Sequence, residues 1–160
     1  MVFLIVSVIK LTKLTESSFD KYNNDIIFQD DVSNRCYAII EDEKFVFRLA
    51  WHSDLIEPVI SELSEKIISI GIDQNFAIVD FGTGTISLKI RLPYNFLDAR
   101  VFNQWVFVIT ELEILRIDKQ HFQILNEFPL PEFFEEMQFE TTHIIVKCAE
   151  NVTVKFSVVN

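Results

Sequence analysis

Three histidines, two cysteines and several carboxylate pairs are the side chains in this sequence with chemistry to offer. His52, His121 and His143 lie far apart and follow neither HxxxH nor HxH spacing, so they read as structural or surface residues rather than a zinc centre. Cys148 and His143 are five residues apart. On one extended strand they would point to opposite faces about 16 Å apart, too far for a nucleophile and its base. Cys36 and Cys148 show no CxxC or other metal-ligand spacing. Two buried free thiols are the expectation, with a disulfide between neighbouring strands as the alternative. The stretch FGTGT (81–85) lacks both the Lys-Ser/Thr ending and the following helix of a phosphate loop, and reads as a hairpin turn. No GxSxG, HExxH or EF-hand pattern occurs. The sequence therefore predicts no catalytic residue, no metal and no cofactor.

Carboxylates are what the chain has in quantity. Twenty-four acidic residues against 14 basic ones give a formal net charge of −10, which repels nucleic-acid phosphates and anionic membranes and favours a basic partner. The charge is uneven. Residues 127–140 hold five glutamates and no base, including Glu132, Glu135 and Glu136 within LPEFFEEMQFE. Glu41, Asp42 and Glu43 form a second group, and Asp30 and Asp31 a third. General acid–base work would need a cleft that drives two such pKa values apart, whereas these pairs fall in turns and on an element face. Steering and holding a basic protein is the chemistry they suit, and these eight residues are the candidate contacts.

The elements that carry them come from the hydrophobic pattern. With 49% apolar residues, 16 Phe, 3 Gly and 4 Pro, the chain reads as a single compact domain over 1–160. Residues 2–12 form a nearly continuous apolar run, expected as one strand covered on both faces. It is too short to span a bilayer and lacks a basic leader or cleavage site, so the expected location is cytoplasmic. Residues 26–31 suggest a short strand. Residues 36–49, 76–90, 105–117 and 144–158 each read as apolar run, polar turn, apolar run, the signal of a hairpin. Strict alternation marks 86–92 and 152–156 as half-buried strands. The four hairpins begin roughly 30–40 residues apart, as propeller blades would, although the tryptophan–aspartate signature of that family is missing.

The expected class is mainly β, a sandwich or an incomplete propeller-like stack of antiparallel hairpins with one or two short helices; α+β is the alternative. One helix is expected over 53–67, where Leu55, Val59, Leu63 and Ile67 recur every four residues, with a strand through 59–63 as the rival. Another is expected at 131–137, led by Pro131 and Glu132, burying Phe133, Phe134 and Met137 and exposing the glutamates.

A compact, strongly acidic chain rich in Phe, Ile and Asn and free of catalytic motifs resembles the small immunity proteins that neutralise bacterial polymorphic toxins, including those of contact-dependent growth inhibition. The resemblance covers the whole length in character alone. The class shares no universal motif, so it assigns no residue a role. It implies a non-enzymatic protein that binds and occludes a basic toxin domain, commonly a nuclease. The other classes open to this sequence are a structural or scaffold β-domain and a small-molecule-binding β-domain, the latter needing an apolar cavity among the phenylalanines.

Overall fold

Within each sheet, every strand turns back on the one before it. The computed structural model describes residues 2–6, 9–30 and 33–159. Strands β1 (Val2–Val6), β2 (Ile9–Leu14), β3 (Cys36–Glu41) and β4 (Val46–Trp51) form the first sheet. The second holds β5 (Val59–Ser64), β6 (Ile67–Ile72), β7 (Asn75–Asp80) and β8 (Thr85–Arg91). The third holds β9 (Phe96–Phe102), β10 (Trp105–Thr110), β11 (Glu113–Asp118) and β12 (Ile124–Pro129), and the fourth β13 (Phe134–Phe139), β14 (His143–Cys148) and β15 (Thr153–Ser157). All ladders between these strands are antiparallel, and among the described residues α1 (Glu16–Phe19) is the one helix. The protein is mainly β with little helix.

By packing, the chain divides into two compact units, Met1–Pro93 and Tyr94–Asn160, and each builds its own core. In the first, Ile9, Leu11, Ala38, Ile40, Phe47, Leu49 and Trp51 of one sheet meet Ile68, Ile70, Ile72, Ala77 and Val79 of the other. Phe47 and Phe81 join edge to face, with ring centroids 5.4 Å apart. In the second unit, Trp105, Phe107, Ile109, Ile114 and Phe128 pack against Met137, Ile144, Val146 and Cys148. Phe102 stacks on Phe139 at 4.4 Å. Arg116 is buried among them: its guanidinium lies over the Trp105 ring at 4.8 Å and donates to the Val158 carbonyl. Burial holds its pKa below the usual arginine value.

All four expected hairpins are present as β3–β4, β7–β8, β10–β11 and β14–β15. Ile86, Leu88 and Ile90 turn inward while Ser87, Lys89 and Arg91 face water; Val154 and Phe156 do the same against Thr153 and Lys155. Cys36 and Cys148 are free thiols, the first partly buried and the second fully so, and burial raises the pKa of both. Among the described residues no helix is long and apolar enough to cross a membrane.

Four local expectations need correction. The run 2–12 is two strands, β1 and β2, paired antiparallel with Val6 opposite Ile9. Residues 26–31 make no strand beyond one parallel bridge, Ile26 to Arg48. The segment nevertheless lies along the outer edge of β4: Ile27 N–H donates to the Arg48 carbonyl at 2.7 Å and Ala50 N–H to the Phe28 carbonyl at 3.0 Å. It thereby satisfies backbone groups that an open edge would leave to another chain. The helix expected over 53–67 is a bent loop followed by the β5–β6 hairpin, turning at Glu65 and Lys66. Its four-residue apolar spacing is also a multiple of two, so it fits a strand as well as a helix. The helix expected at 131–137 is a bend followed by β13.

The β7–β8 turn depends on Gly84. Its φ is +71°, and a Cβ there would lie 2.3 Å from Cε1 of the Phe45 ring. Left-handed strain costs roughly 1–3 kcal/mol, and the overlap adds to it. Gly84→Ala is expected to lower the unfolding free energy measured by urea titration by at least about 1–3 kcal/mol. Gly82→Ala, whose Cβ would meet only Asp80 Oδ1 at 3.0 Å, is expected to cost less.

Candidate interaction surface

The strand β13 places the glutamates differently from a helix. Phe134, Met137 and Phe139 point inward opposite Cys148, Val146 and Ile144, and Gln138 points outward. Between Phe134 and Glu136 the register slips by one residue. Such a bulge sets two residues against one partner, here Lys147. Glu135 and Glu136 are consecutive yet both exposed, which plain alternation would forbid. Glu135 reaches Lys147 at 3.7 Å, and Glu140 pairs with Lys155 at 3.0 Å. Among the described residues Glu127, Glu132 and Glu136 make no ion pair.

Backbone bonds then draw three connections of this unit together. Leu130 N–H donates to the Leu112 carbonyl at 2.8 Å and Phe134 N–H to the Glu111 carbonyl at 2.9 Å, tying the β12–β13 connection to the β10–β11 turn. Ala149 N–H donates to the Phe133 carbonyl at 2.8 Å, tying in the β14–β15 turn. These bonds set the backbone of Glu111 and of Ala149, next to Glu150, beside Phe133 and Phe134, and the Glu111 carboxylate accepts from Asn95 Nδ2 at 3.3 Å. The Phe133 ring was expected in the core, but it is 56% exposed. Its neighbour Phe134 takes the buried direction because the pleat alternates. Nearby, Glu113 and Glu127 are diagonal neighbours across β11 and β12. Burial first, and the Glu127 charge second, hold the Glu113 carboxyl above its usual range.

The other candidate contacts lie in the first unit and are not gathered there. Glu41 ends β3 opposite Val46 at the start of β4, with Asp42 and Glu43 in the turn that follows. Asp30 lies beyond the far end of that strand, since Phe28 is already bonded to Ala50. At about 3.3 Å per residue the two groups are some 20 Å apart. Asp31 lies outside the described residues.

Two of these carboxylates already have structural work. Asp42 Oδ1 accepts from Lys44 N–H at 2.8 Å and Phe45 N–H at 2.7 Å, closing its own turn. Asp30 is mostly buried, 3.8 Å from Arg91. Glu41 and Glu43 make no ion pair among the described residues.

The histidines have local partners: His52 with Ser33 at 2.9 Å, His121 with Asp118 at 2.8 Å and His143 with Thr142 at 2.7 Å. The Gln120 N–H and the His121 side chain hold the Asp118 carboxyl below its ordinary value. Among the described residues no three His, Cys, Asp or Glu side chains are grouped as a metal ion would require. Sequence reasoning missed the exposure of Phe133 and the backbone bonds that tie its connection to Glu111 and Ala149. The adjacent glutamates between two inward aromatics in FEEMQF were the available sign of a bulged strand.

No family model matches the chain, and no curated protein matches it. Among solved structures it resembles the computationally designed Ika4 protein, with a TM-score of 0.55 and 11% identity over 77% of this chain and 80% of that one. It resembles Hsv2 of Kluyveromyces lactis more weakly, with a TM-score of 0.42 and 12% identity over 65% of this chain and 34% of that one. The first likeness shows the fold alone, and the second is too slight to bear on it.

Two outcomes test the surface. Phe133→Ala is expected to change unfolding free energy by less than about 0.5 kcal/mol, as an exposed side chain should, while Met137→Ala costs about 2–5 kcal/mol. Because the Glu113 pKa is raised in the folded state, its contribution falls as pH rises through the carboxylate range toward that folded value. Glu113→Gln is therefore expected to raise the melting temperature at neutral pH, with the gain disappearing below about pH 4, where both states are protonated.

Proposed function

We propose that this protein is a stoichiometric binder that occludes a basic protein domain, as immunity proteins do to the toxins they neutralise. The observation that carries the reading is Phe133, an exposed aromatic ring in a stretch of chain that also holds Glu132, Glu135 and Glu136. Exposed carboxylates raise the rate of encounter with a basic surface. A rigid ring supplies the apolar anchor that sets the lifetime of a complex. The connection that carries Phe133 is tied by backbone hydrogen bonds to the β10–β11 and β14–β15 turns, so little ordering is needed on binding. Glu132, Glu135 and Glu136 are the nearest candidate contacts in sequence, and Glu41 and Glu43 form a separate acidic group on the first unit. Occlusion needs no group on this chain to change bonds, so no turnover accompanies it. The class of toxin that fits is a nuclease, whose nucleic-acid-binding face is basic for the same electrostatic reason.

The test is binding to basic toxin domains, starting with any toxin-like domain encoded next to this chain. Association is expected to slow several-fold as salt rises from about 0.05 to 0.5 M, where the Debye length falls to a few ångströms. Reversing Glu132, Glu135 and Glu136 to Lys is expected to weaken binding at least tenfold and to lift protection of cells expressing the toxin. Stability should change little, because the ion pair lost with Glu135 is a surface one worth about 0–1 kcal/mol. Phe133→Ala is expected to shorten the lifetime of the complex without altering the salt dependence of its formation. Full affinity and protection in both variants would remove this surface from the interface.

A further inference from the structure

In the first unit, a cleft of about 240 Å³ runs between β8 and the segment beside β4, lined by Phe28, Gln29, Asn75, Lys89, Ile90 and Arg91. Its lining carries two cations, Lys89 and Arg91. Lys89 makes no ion pair among the described residues. Arg91 uses Nη1 to donate to Asn75 Oδ1 at 3.1 Å and Nη2 to donate to Gln74 Oε1 at 3.0 Å. Asp30 stands 3.8 Å from the same guanidinium, too far for a hydrogen bond. It offsets charge without satisfying a donor.

Asn75 is only 4% exposed. A guanidinium can only donate, so the Arg91 contact fixes which end of the amide is oxygen. The other end, Nδ2, is a buried donor with no acceptor. An unsatisfied buried donor is costly, and an acceptor beside it would remove that cost.

We propose that this cleft binds a small organic carboxylate, with Lys89 and Arg91 supplying charge, the Asn75 amide a hydrogen bond, and Phe28 and Ile90 an apolar floor for the ligand's carbon body. The floor decides between oxyanions. Inorganic phosphate would find the same donors but would gain nothing from Phe28 and Ile90, whereas a short-chain acid uses both. The volume fits a headgroup-sized ligand below the usual range of drug pockets. The chemistry suits a free acid or the carboxyl end of a peptide alike, because only the carboxylate and a few adjoining carbons would be enclosed.

The experiment is a titration of the full chain, labelled with ¹⁵N, with butanoate, with butanamide, with inorganic phosphate and with a short peptide carrying either a free or an amidated C-terminus. The side-chain NH₂ of Asn75 is the reporter. Saturable shifts of that group and of the Gln29 and Ile90 amides with butanoate, and none with butanamide, are the expected result. Lys89→Gln, an exposed and unpaired site, is expected to weaken butanoate binding about tenfold, the scale of one charge-assisted contact. Asn75→Asp keeps the Arg91 contact, removes the donor and is expected to abolish binding. The free-acid peptide behaving like butanoate, and the amidated one not, would identify a chain terminus as the source; butanoate alone would identify a free metabolite. No saturable shift with butanoate, equal shifts with butanamide, preference for phosphate, or unchanged affinity in Lys89→Gln would each overturn the assignment.

Discussion

Trp51, Phe47 and Leu49 on one sheet meet Ile68, Ile70 and Ile72 on the next, and without that contact neither meander of Met1–Pro93 would have a dry face. A lone antiparallel meander cannot bury enough apolar area to offset its conformational entropy. Its inward row therefore has to find a second sheet. The same constraint acts in Tyr94–Asn160, where Phe107, Ile109 and Ile114 require Ile144 and Val146. Much else follows from it. On β8 and β15 inward positions alternate with outward ones open to charge, whereas β6, β7 and β10 are buried along nearly their whole length, and the turns must bring each strand back within a few residues.

Those turns explain where many of the carboxylates go. Asp42 and Asp80 accept backbone N–H groups within their own hairpins, at 2.7–2.8 Å for the shortest bonds. Asp118 does the same for Gln120 and His121, and Asp73 holds the His52 and Ser53 N–H groups at 3.1 and 3.0 Å. Aspartate has the right reach for this, because its short side chain closes onto backbone two or three residues away. Glutamate does not share that habit. Asp42, Asp73, Asp80 and Asp118 are thus spent on closing turns, while Glu127, Glu135, Glu136 and Glu140 face outward.

How much of this was legible follows from the same physics. The hairpins at 36–49, 76–90, 105–117 and 144–158 were readable because each pairs β-branched runs with a short polar break, and one carries Gly84 at a left-handed position. The β5–β6 hairpin was hidden. Its turn places Lys66 at a φ of +60°, and other turns place Asp73 and Asn103 in the same region, so the glycines that usually mark such turns are missing. In the acidic segment the three- and four-residue spacing of Phe133, Phe134 and Met137 suits one face of a helix. In a strand Phe133 and Phe134 take opposite faces, and the bulge at Glu135 decides which glutamates are free. The bonds from Phe134 to Glu111 and from Ala149 to Phe133 could not be read at all, since they join turns distant in sequence. Neither could the cleft beside Asn75, which pairs residues from 28 to 91.

Glu113 and Glu127 bear on why the acidic surface is built as it is. Across a β-ladder the stabilising choice at such diagonal positions is opposite charge, and the cross-strand neighbours here are like-charged, one of them partly buried. Ordinary solubility does not require that arrangement, because an exposed carboxylate elsewhere would serve without the repulsion. On the proposed reading, the missing cation belongs to the partner. A lysine or arginine docking between the two would relieve the repulsion, draw the Glu113 pKa back toward the ordinary range and release a proton where that group had been partly protonated. Binding would then grow stronger with pH through that interval, while the free protein grows less stable over the same one. Both trends would run through Glu113, whose carboxyl is held high by burial first and by the Glu127 charge second.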